Sequence, residues 1–264
     1  MKKSPGNRWI IWFLTGFIGW STSAAVIPQE PDLLSLVRTG DTLAVKKFIA
    51  EGADVNVQDD MMGYTPLSLA ITANHPGMVR MLIDAGANIN HRDKIYGYSP
   101  LMQALNQSHT EMAKILLEAG ADITVRGNNG ATALMVAAMN SREMTEQLLE
   151  KGADISTRSV NGTGVLTNCV MGIITGRVPA GLAEFLISRG AEVDEVNTTD
   201  YYGGYTPLFW AVEDHHEELV RLLIRHGANV NARAANGKTP LSIAREAGYT
   251  DMVEILKTAG AVEQ

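Results

Sequence analysis

Apolar residues recur along this chain in short blocks at helical spacing. Across residues 78–85, Val79, Leu82 and Ile83 fall on one face of a helix, and Gly86 follows as a left-handed stop. Upstream, Leu67 and Ala70 share an inward face at the same spacing. Pro66 suits the first helical position, where its missing donor costs nothing, and Thr65 before it can cap the helix by accepting a backbone N–H. The pattern therefore predicts two short helices between residues 65 and 86. The more polar stretch 88–97 reads as a turn or hairpin that carries the chain into another such unit.

The unit repeats. Thr65-Pro66-Leu67-Ser68-Leu69-Ala70 returns as Ser99-Pro100-Leu101-Met102-Gln103-Ala104 and as Thr132-Ala133-Leu134-Met135-Val136-Ala137. It returns again as Thr206-Pro207-Leu208-Phe209-Trp210-Ala211 and Thr239-Pro240-Leu241-Ser242-Ile243-Ala244. A second phrase, Gly52-Ala53-Asp54-Val55-Asn56, has counterparts beginning at Gly86, Gly120, Gly152, Gly190, Gly227 and Gly260, mostly 32 to 34 residues apart.

On these two phrases the chain resembles the ankyrin-repeat family, whose repeat is about 33 residues long with a Thr-Pro-Leu-His-x-Ala phrase. The resemblance covers residues 31–264. It implies an all-α solenoid of about seven helix-turn-helix repeats joined by hairpin-like connectors. Their approximate ranges are 31–62, 63–96, 97–129, 130–161, 162–203, 204–236 and 237–264. One copy cannot bury its apolar face alone, so stacked copies share a core and the terminal ones are modified. Residues 32–59 lack the Thr-Pro-Leu phrase, as a starting cap would, and Glu263-Gln264 gives a polar finish.

The fifth copy is irregular. Gly162-Thr163-Gly164-Val165-Leu166-Thr167-Asn168-Cys169 lacks the Thr-Pro pair and sets Cys169 at the small Ala position. Cys169 is expected to be a small buried core residue, with a redox role as the alternative. Gly152 to Gly190 spans 38 residues, the surplus falling near residues 172–179, and Gly190 to Gly204 spans 14, the surplus falling around 197–203. Tolerated loop drift and a groove edge extended to grip a partner both account for these additions.

Ahead of the repeats stands the layout of a secretory signal. Residues 1–8 are basic, 9–20 form an uncharged apolar run, and Ser21-Thr22-Ser23-Ala24-Ala25 suits signal peptidase. The run is shorter than the roughly 20 residues a spanning helix needs. Residues 1–25 are thus expected to be cleaved, leaving 26–264 as the repeat domain with no membrane attachment. The Met-Lys-Lys start resembles bacterial signals, which would make the destination the periplasm. Secretion, or retention as an N-terminal anchor, is the alternative.

The formal charge of -7 becomes -10 without Lys2, Lys3 and Arg8, with 19 basic against 29 acidic residues. An acidic chain with no basic stripe is repelled by phosphate backbones, so nucleic acid is excluded as a partner. One cysteine cannot make an internal disulfide or a Cys-based zinc site. The six histidines do not gather. His75, His109 and His216 share one position before the second helix, a structural position in ankyrin repeats. Gly97-Tyr98-Ser99-Pro100-Leu101 lacks the closing glycine of a nucleophile elbow, and Gly162-Thr163-Gly164 lacks the rest of a phosphate loop. The chain is expected to have no enzymatic activity, cofactor or metal.

In ankyrin repeats the connector tips and the exposed ends of the first helices line a concave surface. That resemblance places the binding surface at Met61, Met62, Tyr64 and Thr72, then Ile95, Tyr96, Tyr98 and Asn106. Asn128, Asn129, Met139 and Asn140 follow, then Tyr201, Tyr202, Tyr205, Glu213 and Asp214. Tyr64, Tyr98 and Tyr205 occupy one repeat position, and exposed Met, Ile and Tyr favour binding. The alternative is that the tyrosines pack on neighbouring connectors. The expected function is a non-catalytic, monomeric protein-binding module in the periplasm. Its partner would be a secreted enzyme such as a phospholipase, or a toxin, served by an accessory or immunity-type protein. An enzyme with an unrecognised site near the fifth repeat, or a helper in cofactor delivery to a periplasmic enzyme, remains as the alternative.

Overall fold

The computed structural model describes residues 32–262. The expected signal at residues 1–25 and the polar finish Glu263-Gln264 lie outside them. Among the described residues fourteen helices follow in seven consecutive pairs. These are α1 (Leu33–Thr39) with α2 (Thr42–Ala50), α3 (Pro66–Thr72) with α4 (Pro76–Asp84), and α5 (Pro100–Asn106) with α6 (Thr110–Glu118). Next come α7 (Ala133–Asn140) with α8 (Arg142–Glu150), and α9 (Val165–Ile174) with α10 (Gly181–Ser188). The last are α11 (Pro207–Glu213) with α12 (Glu217–Arg225), and α13 (Pro240–Glu246) with α14 (Thr250–Thr258). Each first helix packs on its own second helix and on the first helix of the next pair, so the array is an all-α solenoid with one continuous core.

The repeated phrases build this stack as their chemistry dictates. Leu67, Leu101, Leu134, Leu166, Leu208 and Leu241 are all at most 2% exposed. Ala70, Ala104, Ala137, Cys169, Ala211 and Ala244 are fully buried at the small position of the phrase. A fully buried Leu stabilises by about 1.5–3 kcal/mol, so the column is the main energetic support of the array. Thr65, Ser99, Thr132 and Thr239 cap their helices by accepting from Ser68, Met102, Met135 and Ser242 backbone N–H groups. The first copy lacks that phrase, and Asp32 caps α1 instead, accepting from Ser35 N–H at 2.7 Å.

The connectors are hairpin-like turns without a named strand. Asp59 N–H donates to Tyr64 C=O, and Asp93 N–H to Tyr98 C=O, closing each loop across its base. Successive tips are then tied by single backbone bonds: Lys94 N–H to Met62 C=O at 2.8 Å, Asn128 to Tyr96 at 2.7 Å, and Val160 to Asn129 at 2.8 Å. Thr198 to Asn161 at 2.8 Å and Ala235 to Gly203 at 2.6 Å continue the series. Lower down, the last residue of the second phrase stitches copies together. Asn56 accepts from Asn88 N–H, Asn90 from Asp122, Asp194 from Asn229, and Asn231 from Val262.

The surplus in the fifth copy is not a loose loop along residues 172–179. It lengthens α9 to 10 residues and buries Val178. Gly172 permits this, because a Cβ there would lie 2.4 Å from the Met139 carbonyl oxygen of α7. Arg177 Nη1 then donates to Asn140 Oδ1 at 2.7 Å. The second surplus, in the connector after α10, is also ordered. Asn197 is buried and accepts from the Thr199 N–H and hydroxyl at 2.8 and 2.7 Å.

Candidate partner-binding surface

Two carboxylates shape the first connector tips. Asp59 accepts from the backbone N–H groups of Met62 at 2.7 Å and Tyr64 at 3.3 Å. Burial pushes this carboxyl up, but those bonds and the Arg38 guanidinium at 2.9 Å outweigh it and hold it below the usual carboxylate range. Asp93, itself buried, accepts from Ile95 at 2.9 Å, Tyr96 at 2.6 Å and Tyr98 at 3.0 Å. With the donors of each turn gathered inward, the tip side chains stand outward. Met61 is 83% exposed, Ile95 48% and Tyr96 57%. Met62 is half-buried.

The three in-register tyrosines do not form the exposed row that the repeat suggested. Tyr64 and Tyr98 are half-buried against the core. Burial, with Asp93 and Tyr96 nearby, raises both phenols, so they stay protonated. The Tyr98 ring fills the space beside Gly127 of the next connector, where a Cβ would meet it at 3.0 Å. Tyr205 departs furthest, at 5% exposed. Its ring stacks on Phe209 at 4.7 Å, and its hydroxyl donates to Glu213 Oε1 at 2.9 Å. Burial and that bond raise its phenol strongly. Phe209 and Trp210 in the following helix draw this ring inward, so Tyr205 supports the surface instead of presenting it.

Tyr201 and Tyr202 of the enlarged connector complete an aromatic cluster. Tyr201 is 78% exposed and meets Tyr202 edge-on at 4.7 Å. Tyr202 rests on Trp210 at 4.7 Å and on Tyr205 at 5.3 Å. Glu213 ends α11 and Asp214 follows it, both exposed. Thr72, Asn106, Asn128 and Asn129 are likewise exposed, whereas Asn140 is buried and Met139 half-buried. Ser141 serves at once as last cap of α7 and first cap of α8, so one residue lies between these helices where the α3–α4 and α5–α6 copies have three, and Asn140 is drawn in.

One exposed residue escaped the sequence reading. Val160 is 68% exposed and stands two residues before Gly162, as Met61 does before Gly63 and Ile95 before Gly97. The same offset that picked out Met61 and Ile95 identifies it once extended to the irregular copy. Titratable groups of the fifth copy are absorbed by structure. Glu195 caps α9 through hydrogen bonds from Gly164 and Thr167 N–H at 2.9 Å each. Cys169 is fully buried, and burial pushes its thiol far above the usual range.

Comparison with known proteins agrees with this geometry. A model of three consecutive ankyrin repeats matches residues 33–127 and again 177–263, and a single ankyrin repeat matches 129–160. The chain belongs to the ankyrin-repeat family. Residues 161–176, left between the matches, are the first helix of the irregular copy and the turn leading into it. The ankyrin repeat domain of human ASB11 superimposes with a TM-score of 0.71 at 25% identity, covering 89% of this chain and 100% of that one. The ankyrin repeat domain of Bcl-3 gives 0.65 at 28% identity, covering 87% and 99%. Among curated relatives, the mouse B-cell lymphoma 3 protein homolog is 38% identical over 96 residues, 36% of this chain and 20% of its own length. The Escherichia coli putative ankyrin repeat protein YahD is 38% identical over 71 residues, 25% of this chain and 35% of its own. Human 2-5A-dependent ribonuclease is 43% identical over 67 residues, 25% of this chain and 9% of its own. This chain therefore spans about a third or less of the length of these curated relatives. Ankyrin repeats are a protein–protein interaction module, and that general role applies here.

Among the described residues, no helix is long and apolar enough to cross a membrane, and no group of three His, Cys, Asp or Glu is placed to hold a metal.

Proposed function

We propose that this ankyrin-repeat protein holds one specific protein partner across its connector tips and the ends of its first helices, without catalysing a reaction. The observation that carries this reading is the row of exposed apolar side chains at the tips: Met61, Ile95, Tyr96, Val160 and Tyr201. Backbone bonds tie those tips into a rigid series, so little conformational freedom remains to be lost on binding. Large exposed apolar groups gathered on the connector tips of a solenoid are costly unless a partner covers them.

We further propose that the protein works as a monomer outside the cytoplasm, in the periplasm, after cleavage of residues 1–25. There it would act as an accessory or immunity-type protein for a secreted enzyme such as a phospholipase, or for a toxin. The basic, apolar and small-residue layout of that segment supports export. The test is N-terminal sequencing of the protein from the periplasmic fraction, then co-purification and calorimetry with the captured protein. A mature start near Ala25 or Val26 and a saturable one-to-one complex are expected. Met1 retained in the membrane fraction overturns the export reading, and absence of any stoichiometric complex overturns the binding reading.

A further inference from the structure

We infer that the aromatic and acidic ground around Tyr201, Trp210 and Glu213 seats an arginine side chain of the partner, an inference that rests on the protein-binding reading above. Three observations converge there. The aromatic rings are already assembled: Tyr201 stands exposed on Tyr202, which is backed by Trp210 and Tyr205 at 4.7 and 5.3 Å. A ring held by its neighbours offers its negative face without first being ordered.

The second observation is the charge beside it. Helices α3, α5, α7 and α9 end in Thr72, Asn106, Asn140 and Ile174, all uncharged. Helices α11 and α13 end in Glu213 and Glu246, and Asp214 follows the first. Glu213, Asp214 and Glu246 are all exposed. Lys238, bound to Glu246 at 2.5 Å and within reach of the fields of Glu213 and Tyr201, and Arg245 in the last turn of α13 offset part of that charge.

The third is where those carboxylates sit. The last turn of a helix presents carbonyl oxygens that lack partners, so acids there are disfavoured and cations favoured. Placing two adjacent acids at the end of α11 raises the negative potential in front of the aromatic rings. A guanidinium fits this ground better than an ammonium: it lies flat on a ring and still forks toward a carboxylate. Glu213 is held in place by the Tyr205 hydroxyl, which donates to its Oε1.

The test uses the full chain labelled with ¹⁵N at tryptophan, whose Trp210 indole signal is assigned with Trp210→Phe. Capped Gly-Gly-Arg-Gly-Gly should shift that signal saturably, with its lysine counterpart weaker and its glutamate and leucine counterparts without effect. Tyr201→Ala, and Glu213→Gln with Asp214→Asn, should each weaken the arginine peptide about tenfold at unchanged thermal midpoint, consistent with loss of one cation–π or charge-assisted contact. No saturable shift, or an equal shift from the leucine peptide, overturns the inference. Should the chain still form its partner complex in that event, the binding reading stands and only the arginine assignment falls.

Discussion

The carboxylate of Glu195 caps the helix α9 from the next connector, accepting from Gly164 N–H, 31 residues before it, at 2.9 Å. Leu166 N–H at 3.2 Å, and the N–H and hydroxyl of Thr167 at 2.9 and 2.7 Å, complete its partners, with the Arg158 guanidinium 3.7 Å away. In α3, α5, α7 and α13 a Thr or Ser at the position of Gly164 caps its own helix, in α1 an Asp does so, and Thr206 of α11 makes no side-chain cap bond. Here the next connector supplies the cap, and Gly164 must lack a side chain, since a Cβ would fall 2.2 Å from Glu195 Oε1.

Glu195→Ala should therefore cost about 2–4 kcal/mol, because several buried donors lose a charged acceptor. Gly164→Thr alone should also destabilise, by steric conflict with that carboxylate. Together the two changes restore the cap used at α3, α5, α7 and α13, so the double variant should be more stable than the sum of the single losses predicts. Urea titrations of the four proteins check this, and strict additivity would refute the exchange of caps.

The stacked leucines give a plainer expectation. Leu134, 1% exposed in the middle of the array, should cost about 2–5 kcal/mol as Leu134→Ala. Glu143→Ala, an exposed change that breaks only a surface pair with Lys114, should stay within about 0.5 kcal/mol. Equal losses in urea would contradict the alignment of the repeats.

Acid should loosen the first connector. The folded Asp59 carboxyl titrates below its unfolded value of about 3.9, so its contribution is complete above that pH and is lost as pH falls through the lower folded value. Asp59→Asn should flatten the acid limb of the stability curve below about pH 4 and lower stability near neutrality. Thermal midpoints between pH 2 and 7 decide this, and an unchanged acid limb would show that the turn bonds do not depend on the charge.

Local features were legible in the sequence because their physics is local. Thr65 with Pro66, Leu67 with Ala70, and Gly86 after Val79 and Leu82 each state a cap, a face or a stop within a few residues, and the repeat multiplies the signal. Cys169 at the Ala position was readable for the same reason. Glu195 was not, since its helix lies a whole repeat upstream and no spacing rule links a connector acid to Gly164. The burial of Tyr205 was equally hidden. Its repeat position matches Tyr64 and Tyr98, but Phe209 and Trp210 replace the smaller Ser68 and Leu69 and offer the ring a stacking surface. Register told which residues share a row, and packing decided which of them face out.

That division separates binding from stability among the aromatic residues. Met61→Ala with Ile95→Ala and Tyr96→Ala removes exposed tip side chains that little supports, so the thermal midpoint should hold. Partner affinity should fall by at least about thirtyfold if these groups include a hot spot worth about 2 kcal/mol. Val160→Ala should act in the same direction, since it stands in the same row. Tyr205→Ala should behave differently. It empties a buried site beside Phe209 and removes the donor held by Glu213, so a loss of about 3–5 kcal/mol in stability is expected, like that of other buried aromatic truncations. Tyr205→Phe should recover most of that loss, because it keeps the ring and gives up only the hydroxyl. Calorimetry with the co-purified partner and urea melts of the same variants separate the two effects. If the tip variants bind as tightly as the parent, the row is not the interface, and the outer face formed by the second helices becomes the surface to probe.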